Sequence, residues 1–127
     1  MVFINGCDES SNSTSDQFSN KLTLGTGMNG FTINGETTNF SLIGGRVTIY
    51  WRLESAADMG GSAVRIDINR QSVSGWTVDN SFTFPSTQNY GHIMLSSFSI
   101  TNAGNYRATG VLVTGNVTVA TKDFTVQ

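Results

Sequence analysis

The chain holds one histidine, His92, and one cysteine, Cys7, and that scarcity bounds the chemistry open to it. A Ser-His-Asp triad needs its histidine held between a nucleophile and an orienting carboxylate. Serine is too frequent here to single out a nucleophile, and no Gly-x-Ser-x-Gly elbow occurs. A histidine-based metal site fails on count, because Cys7 is remote from His92 in sequence. Calcium needs clustered oxygen ligands, and Asp58 in AADMGGS and the pair Asp79-Asn80 are the loop candidates. Neither starts a D-x-D-x-[DN] run, so both read as solvated carboxylates. No two acids stand out as the partners of a glycoside hydrolase. The residue inventory therefore assigns no catalytic, cofactor-binding or metal-ligating residue and implies no cofactor. It points to a protein that is not an enzyme.

The 127 residues suit one domain, long enough to bury a core without disulfides or metals. Charged residues make up 13% of the chain and the net charge is −2, which argues against nucleic acid, since phosphate binding needs clustered Lys and Arg. The basic residues are instead spread along the chain as Lys21, Arg46, Arg52, Arg65, Arg70, Arg107 and Lys122. No apolar run approaches the length of a membrane span, so the domain itself reads as soluble. A surface rich in Ser, Thr and Asn and poor in Lys suggests an extracytoplasmic setting: a cell surface, a secreted protein or a displayed particle. Asn12, Asn39 and Asn116 fit the N-x-[ST] sequon, as chance allows in such a composition.

The segment Asp8 to Asn20, DESSNSTSDQFSN, is polar with a single aromatic and cannot offset its ordering entropy by burial. Residues 1–20 accordingly read as a flexible tether and 21–127 as the folded domain. Within the tether, Ile4-Asn5-Gly6-Cys7 resembles the lipobox of bacterial lipoproteins, in which an aliphatic and a small residue precede a lipidated Cys. Asn5 departs from the usual small residue. The resemblance implies a lipoprotein anchored through Cys7, the one membrane link this sequence suggests.

From Leu22 onward the pattern is strands and turns. Val, Ile, Thr, Phe and Tyr recur between turn residues, while the usual helix formers are scarce. Leu22–Gly27 and Phe31–Ile33 read as a short edge strand broken by GTGMNG, and Thr37–Ile43 as a second strand with Phe40 and Leu42 on one face. The clearest strand is RVTIYWRLE, Arg46–Glu54, in which Val47, Ile49, Trp51 and Leu53 alternate with Thr48, Tyr50, Arg52 and Glu54. Ala63–Asn69 alternates again, followed by Trp76–Phe84, Tyr90–Phe98, Asn105–Thr114 and Val117–Val126. In the last of these Val117 and Val119 are out of phase with Phe124 and Val126, and a bulge near Ala120-Thr121 reconciles them. About eight antiparallel strands in two sheets, an all-β sandwich, is the fold class this pattern predicts.

After Ile93, Leu95 and Phe98 comes Asn102-Ala103-Gly104-Asn105-Tyr106-Arg107-Ala108. This resembles the immunoglobulin superfamily, variable or intermediate type, where an alternating strand is followed by Asp-x-Gly-x-Tyr-x-Cys. Asn102 stands at the Asp position, Gly104 and Tyr106 match, and Ala108 replaces the Cys. The resemblance implies that Tyr106 is a tyrosine corner, its hydroxyl bonded to backbone a few residues upstream. It also implies that Gly104 permits a tight corner and that Trp51 is the core tryptophan. The inter-sheet disulfide is absent, with Phe40 or Leu42 at its earlier position, so packing replaces a contribution of roughly 2–4 kcal/mol. Trp51, Leu95, Phe98, Gly104 and Tyr106 form the expected structural motif.

If the strands of Trp51 and Tyr106 are neighbours in one sheet, its outer face carries Tyr50, Arg52, Arg107, Thr109, Val111 and Val113. Tyr50, Arg52, Arg107, Val111 and Val113 are the candidate partner-binding residues, suited to a protein partner or to self-association. The expectation is a non-enzymatic module for cell adhesion, recognition or assembly, displayed as a surface protein. The alternatives are a carbohydrate-binding sandwich that uses Trp76 or Tyr90, and a structural spacer of a surface or phage or viral assembly. For Trp76 and Tyr90, packing at the ends of strands is the simpler reading.

Overall fold

The computed structural model describes residues 18–86 and 89–127. Their nine strands are β1 (Lys21–Asn29), β2 (Thr32–Glu36), β3 (Asn39–Phe40), β4 (Val47–Glu54), β5 (Val64–Ser72), β6 (Gly75–Phe84), β7 (Ile93–Ile100), β8 (Gly104–Leu112) and β9 (Val117–Val126). No helix is present among the described residues. The strands form a four-stranded sheet in the order β2-β1-β4-β7 and a five-stranded sheet in the order β3-β9-β8-β5-β6. Every pairing is antiparallel except β3 with β9. The chain is an all-β sandwich of two sheets, compatible with an immunoglobulin-like fold.

The alternation in β4 decides which sheet face is buried. Ile49, Trp51 and Leu53 are wholly buried, and the intervening Tyr50, Arg52 and Glu54 are half-buried on the outer side. Val64, Ile66 and Ile68 of β5 do the same in the opposite sheet, as do Tyr106, Ala108 and Gly110 of β8. Between the sheets lies an aromatic cluster. Tyr106 stacks on Phe124 with centroids 5.3 Å apart, Phe98 lies 5.9 Å from Phe124, and Trp51 meets Phe84 edge-on at 5.8 Å. The indole N–H of Trp51 finds no acceptor among the described residues, so this ring contributes through area and contact alone.

The strand of Trp51 is not a neighbour of the strand of Tyr106. β4 pairs with β1 and β7, whereas β8 pairs with β5 and β9. Trp51 therefore lies in the opposite sheet, its ring against Phe84 of β6 in the core. Leu53 of β4 packs directly against β8 at Gly110. A Cβ at Gly110 would lie 2.6 Å from Leu53 Cδ1, so the bulk of β4 presses onto the small residues of β8. Ala108, two residues before Gly110, is likewise wholly buried.

Four further expectations change. The edge strand read as broken is a hairpin, β1 and β2, turning at Gly30 with φ of +63°. In β7 the buried residues are Met94, Phe98 and Ile100, so Leu95 is half-buried on the outer face opposite Arg52 and is not a core residue. The bulge of β9 falls at Val119, beside its expected place, where the partners of Gly110 and Val111 jump from Ala120 to Thr118. Residues 18–20, expected to be the end of a tether, contact the folded domain. The Phe18 ring stacks on His92 at 4.2 Å, the Ser19 N–H donates to Glu54 Oε2 at 2.7 Å, and Asn20 Oδ1 accepts from the Ala56 N–H at 2.8 Å. Cys7 and its lipobox-like stretch lie outside the described residues.

The Tyr106 hydroxyl donates to the Asn102 carbonyl at 2.7 Å, the bond that defines a tyrosine corner. Gly104 serves the corner through its backbone and through space. Its φ of +159° is one that residues with a side chain rarely adopt, and a Cβ there would sit 3.0 Å from Arg70 Nε. Beside the corner, Arg70 donates from Nη2 to the Ala103 carbonyl at 2.7 Å.

Candidate functional site

The five residues expected to form one partner-binding face do not share a face. Tyr50 and Arg52 belong to the outer side of the four-stranded sheet, and Arg107 to the outer side of the five-stranded sheet. Arg52 is moreover engaged within the fold. Its Nε donates to the Phe31 carbonyl at 2.9 Å, which curls the β1–β2 hairpin over this face, and its Nη1 pairs with Glu54 Oε1 at 2.7 Å. The Ser19 amide and then Arg52 hold the Glu54 carboxyl below its ordinary range. Val111 is 3% exposed, which removes it from any contact surface, while Val113, just past β8, is 41% exposed.

The outer face of the five-stranded sheet is built differently. Register places Arg107 and Thr109 of β8 beside Asn69 and Asp67 of β5 on one side, and beside Asp123 and Thr121 of β9 on the other. Arg107 donates from Nε to Asp123 Oδ1 at 2.7 Å and from Nη2 to Oδ2 at 3.1 Å, a two-point contact that fixes the guanidinium plane. That plane lies over the Trp76 ring, 4.3 Å from its centroid. The same contact draws the Asp123 carboxyl below its ordinary range and raises Arg107. A second ion pair, Arg65 Nε to Asp67 Oδ1 at 2.9 Å with Ser81 Oγ donating to the same oxygen, continues the face toward its other end.

Trp76 reaches this face because of a bulge. Phe82 and Phe84 of β6 oppose Ile66 and Val64 and pack against the core. By strict alternation Trp76 and Val78 would point the same way. The partners of Ile68 and Asn69 are Asn80 and Val78, so Asp79 is an extra residue that reverses the phase. Trp76 then pairs with Gln71 on the outer side, and Val78 is 68% exposed. Between these residues the Asn69 Oδ1 is enclosed with no hydrogen-bond partner among the described residues.

A groove of about 340 Å³ opens beside Trp76, floored by Tyr106 and Phe124 and rimmed by Gln71, Asn105, Asn39 and Asp123. Its amides are partly committed: Asn105 Nδ2 donates to Gln71 Oε1 at 3.3 Å and Thr125 Oγ1 to Asn39 Oδ1 at 2.8 Å. Among the described residues, Gln71 Nε2, Asn105 Oδ1 and Asn39 Nδ2 carry no hydrogen bond. Sequence reasoning named Arg107 and Trp76 separately but missed Asp123, Gln71, Asn105 and Asn39. Only the strand register brings these together.

The remaining candidates sit apart from this groove. His92 Nδ1 lies 3.0 Å from the Ser55 carbonyl under the Phe18 ring, at the opposite sheet's margin. The Tyr90 hydroxyl donates to the Pro85 carbonyl, and its ring packs against the core. Asp58 caps its own turn through the Gly60 amide at 2.7 Å. Among the described residues, no group of three His, Cys, Asp or Glu side chains is placed to hold a metal ion. No protein-family model matches the chain, and no curated protein matches it.

Proposed function

We propose that this chain is a non-enzymatic recognition module of immunoglobulin-like type, displayed outside the cytoplasm, that meets a protein partner through the outer face of its five-stranded sheet. One observation carries the reading. The Arg107–Asp123 pair stacked on Trp76 forms a rigid aromatic and cationic anchor beside an open groove, and Trp and Arg are the residues that dominate contact surfaces. The opposite face is the poorer candidate, since its own hairpin curls over it and engages Arg52. The composition, low in charge and rich in Ser, Thr and Asn, supports the extracytoplasmic setting, and the lipobox-like Ile4-Asn5-Gly6-Cys7 supports a lipid anchor at Cys7.

The test is site-specific photocrosslinking in cells that make the protein. A photoreactive residue at Thr121, exposed on the proposed face, gives a discrete adduct that Trp76→Ala abolishes. The same residue at Phe31, on the hairpin tip, gives none. Adducts from Phe31 and not from Thr121 overturn the assignment.

A second reading is favoured by the groove itself, where an indole edge and uncommitted amides offer the stacking and hydrogen-bonding groups that a neutral saccharide uses. Titration of simple sugars, followed by the NMR signal of the Trp76 indole, decides it. Saturable shifts point to carbohydrate, and their absence across a broad panel removes that reading.

A further inference from the structure

Beyond the proposed recognition face, one edge of the sandwich lacks, among the described residues, the devices that protect the others. At the five-stranded sheet's margins, β3 is two residues long, and β6 carries the Asp79 bulge and ends before Pro85. At the four-stranded sheet's first margin, β2 is five residues long with Gly35 and Glu36 at its end. Short length, bulges, charge and proline are the devices that keep edge strands from pairing. β7 has none of them. Its eight residues, Ile93–Ile100, read IMLSSFSI, without charge, Pro or Gly.

β7 pairs with β4 in unbroken register along its whole length and, among the described residues, with no other strand. In an antiparallel strand, alternate residues direct both N–H and C=O to the same side. Half of the backbone groups of β7 therefore point away from β4, and among the described residues none finds a backbone partner there. The segment before β7 does not fold along it. Tyr90 donates to Gly60, Met59 to Gly91 and Ser55 to His92, which ties that segment to the loop after β4.

We propose that two copies of this chain join edge to edge through β7, antiparallel, as one continuous eight-stranded sheet. A second copy is the occupant that this edge fits without further requirement. Antiparallel pairing of a strand with itself is two-fold symmetric, and it places like faces together only when the axis passes through a residue. Centred on Ser96, the pairing sets Met94 of one copy beside Phe98 of the other on the inner face, extending both cores. Leu95 then meets Ser97 on the outer face. With no charge on the strand, the two copies bring no like charges together. The axis leaves both five-stranded sheets on the same side, so the dimer presents two Trp76 faces in one direction, an arrangement suited to avid binding.

The test is sedimentation velocity across a wide concentration range, on wild type and on a Ser97→Lys/Ser99→Lys variant. Both serines are exposed on β7, and near-ultraviolet circular dichroism verifies the fold of the variant. The expected result is a concentration-dependent dimer whose dissociation constant rises at least tenfold in the variant. Amide exchange at Ile93–Ile100 is expected to slow as concentration rises. A monomer at every concentration overturns the proposal, as does a dimer indifferent to both lysines. Protection of β7 that is the same at all concentrations also overturns it, because the occupant would then be a segment of the same chain.

Discussion

Replacing Tyr106 by Phe isolates one atom of the corner that orients β8. The ring is 1% exposed and stacked on Phe124 at an interplanar angle of 12°, and Phe preserves that contact. What goes is the 2.7 Å bond from the hydroxyl to the Asn102 carbonyl. Asn102 is exposed, so water can replace the lost donor, and the cost is the net value of one hydrogen bond, about 0.5–1.5 kcal/mol, not the larger cost of a buried orphan. The midpoint of thermal unfolding is expected to fall by about 2–6 °C. Tyr106→Ala, which also removes the stacked ring, is expected to cost about 3–5 kcal/mol. Urea denaturation as a function of pH sharpens the test. Burial raises the Tyr106 phenol above its ordinary value of 10.0, against an opposing pull from Arg70. A raised value means that the folded state holds the proton more tightly. That contribution to stability is complete below the unfolded value and is lost as pH rises through the folded one. Wild type should therefore lose its advantage over Tyr106→Phe as pH climbs past 10.0. A Phe variant as stable as wild type at neutral pH would refute the corner as a stabilising device, and curves that stay parallel through the alkaline range would refute the raised phenol that burial produces.

Three other outcomes follow from the same geometry. Gly110→Ala sets a methyl 2.6 Å from Leu53 Cδ1 in a closed core and is expected to destabilise by about 1–3 kcal/mol. In a Leu53→Ala background that penalty should disappear, and calorimetry of the double-mutant cycle reads the coupling. Arg52→Ala releases both the Phe31 carbonyl and Glu54, so amide exchange should speed up across residues 29–36 while the Thr121 crosslink persists. Asp123 titrates below the ordinary carboxylate range because Arg107 bonds its ionised form. Its contribution is present above the unfolded value and lost as pH falls through the folded one. Carbon-detected NMR should place that titration below a free aspartate, and Arg107→Gln should return it to the ordinary range.

What the sequence made legible is what depends on period two within one strand. The alternation in RVTIYWRLE shows which residues are buried, and the Gly-x-Tyr spacing locates a corner whose hydrogen bond the structure contains. What it concealed depends on pairing between strands. An inward tryptophan has the same pattern in either sheet, so nothing in β4 alone distinguishes a neighbour of β8 from a strand across the core. In β7, IMLSSFSI admits two phases, because Leu95 and Met94 are equally apolar. The buried set Met94, Phe98 and Ile100 is fixed only when β4 sets the register. The proposed recognition face was hidden for a third reason. A strand that keeps strict alternation puts Trp76 with Phe82 and Phe84 in the core, and the one extra residue at Asp79 reverses it. The chain thus spends an irregularity to turn its second tryptophan outward onto Arg107. Bulges that re-aim a side chain are features of working surfaces, and here the bulge connects the fold to the face where binding is proposed.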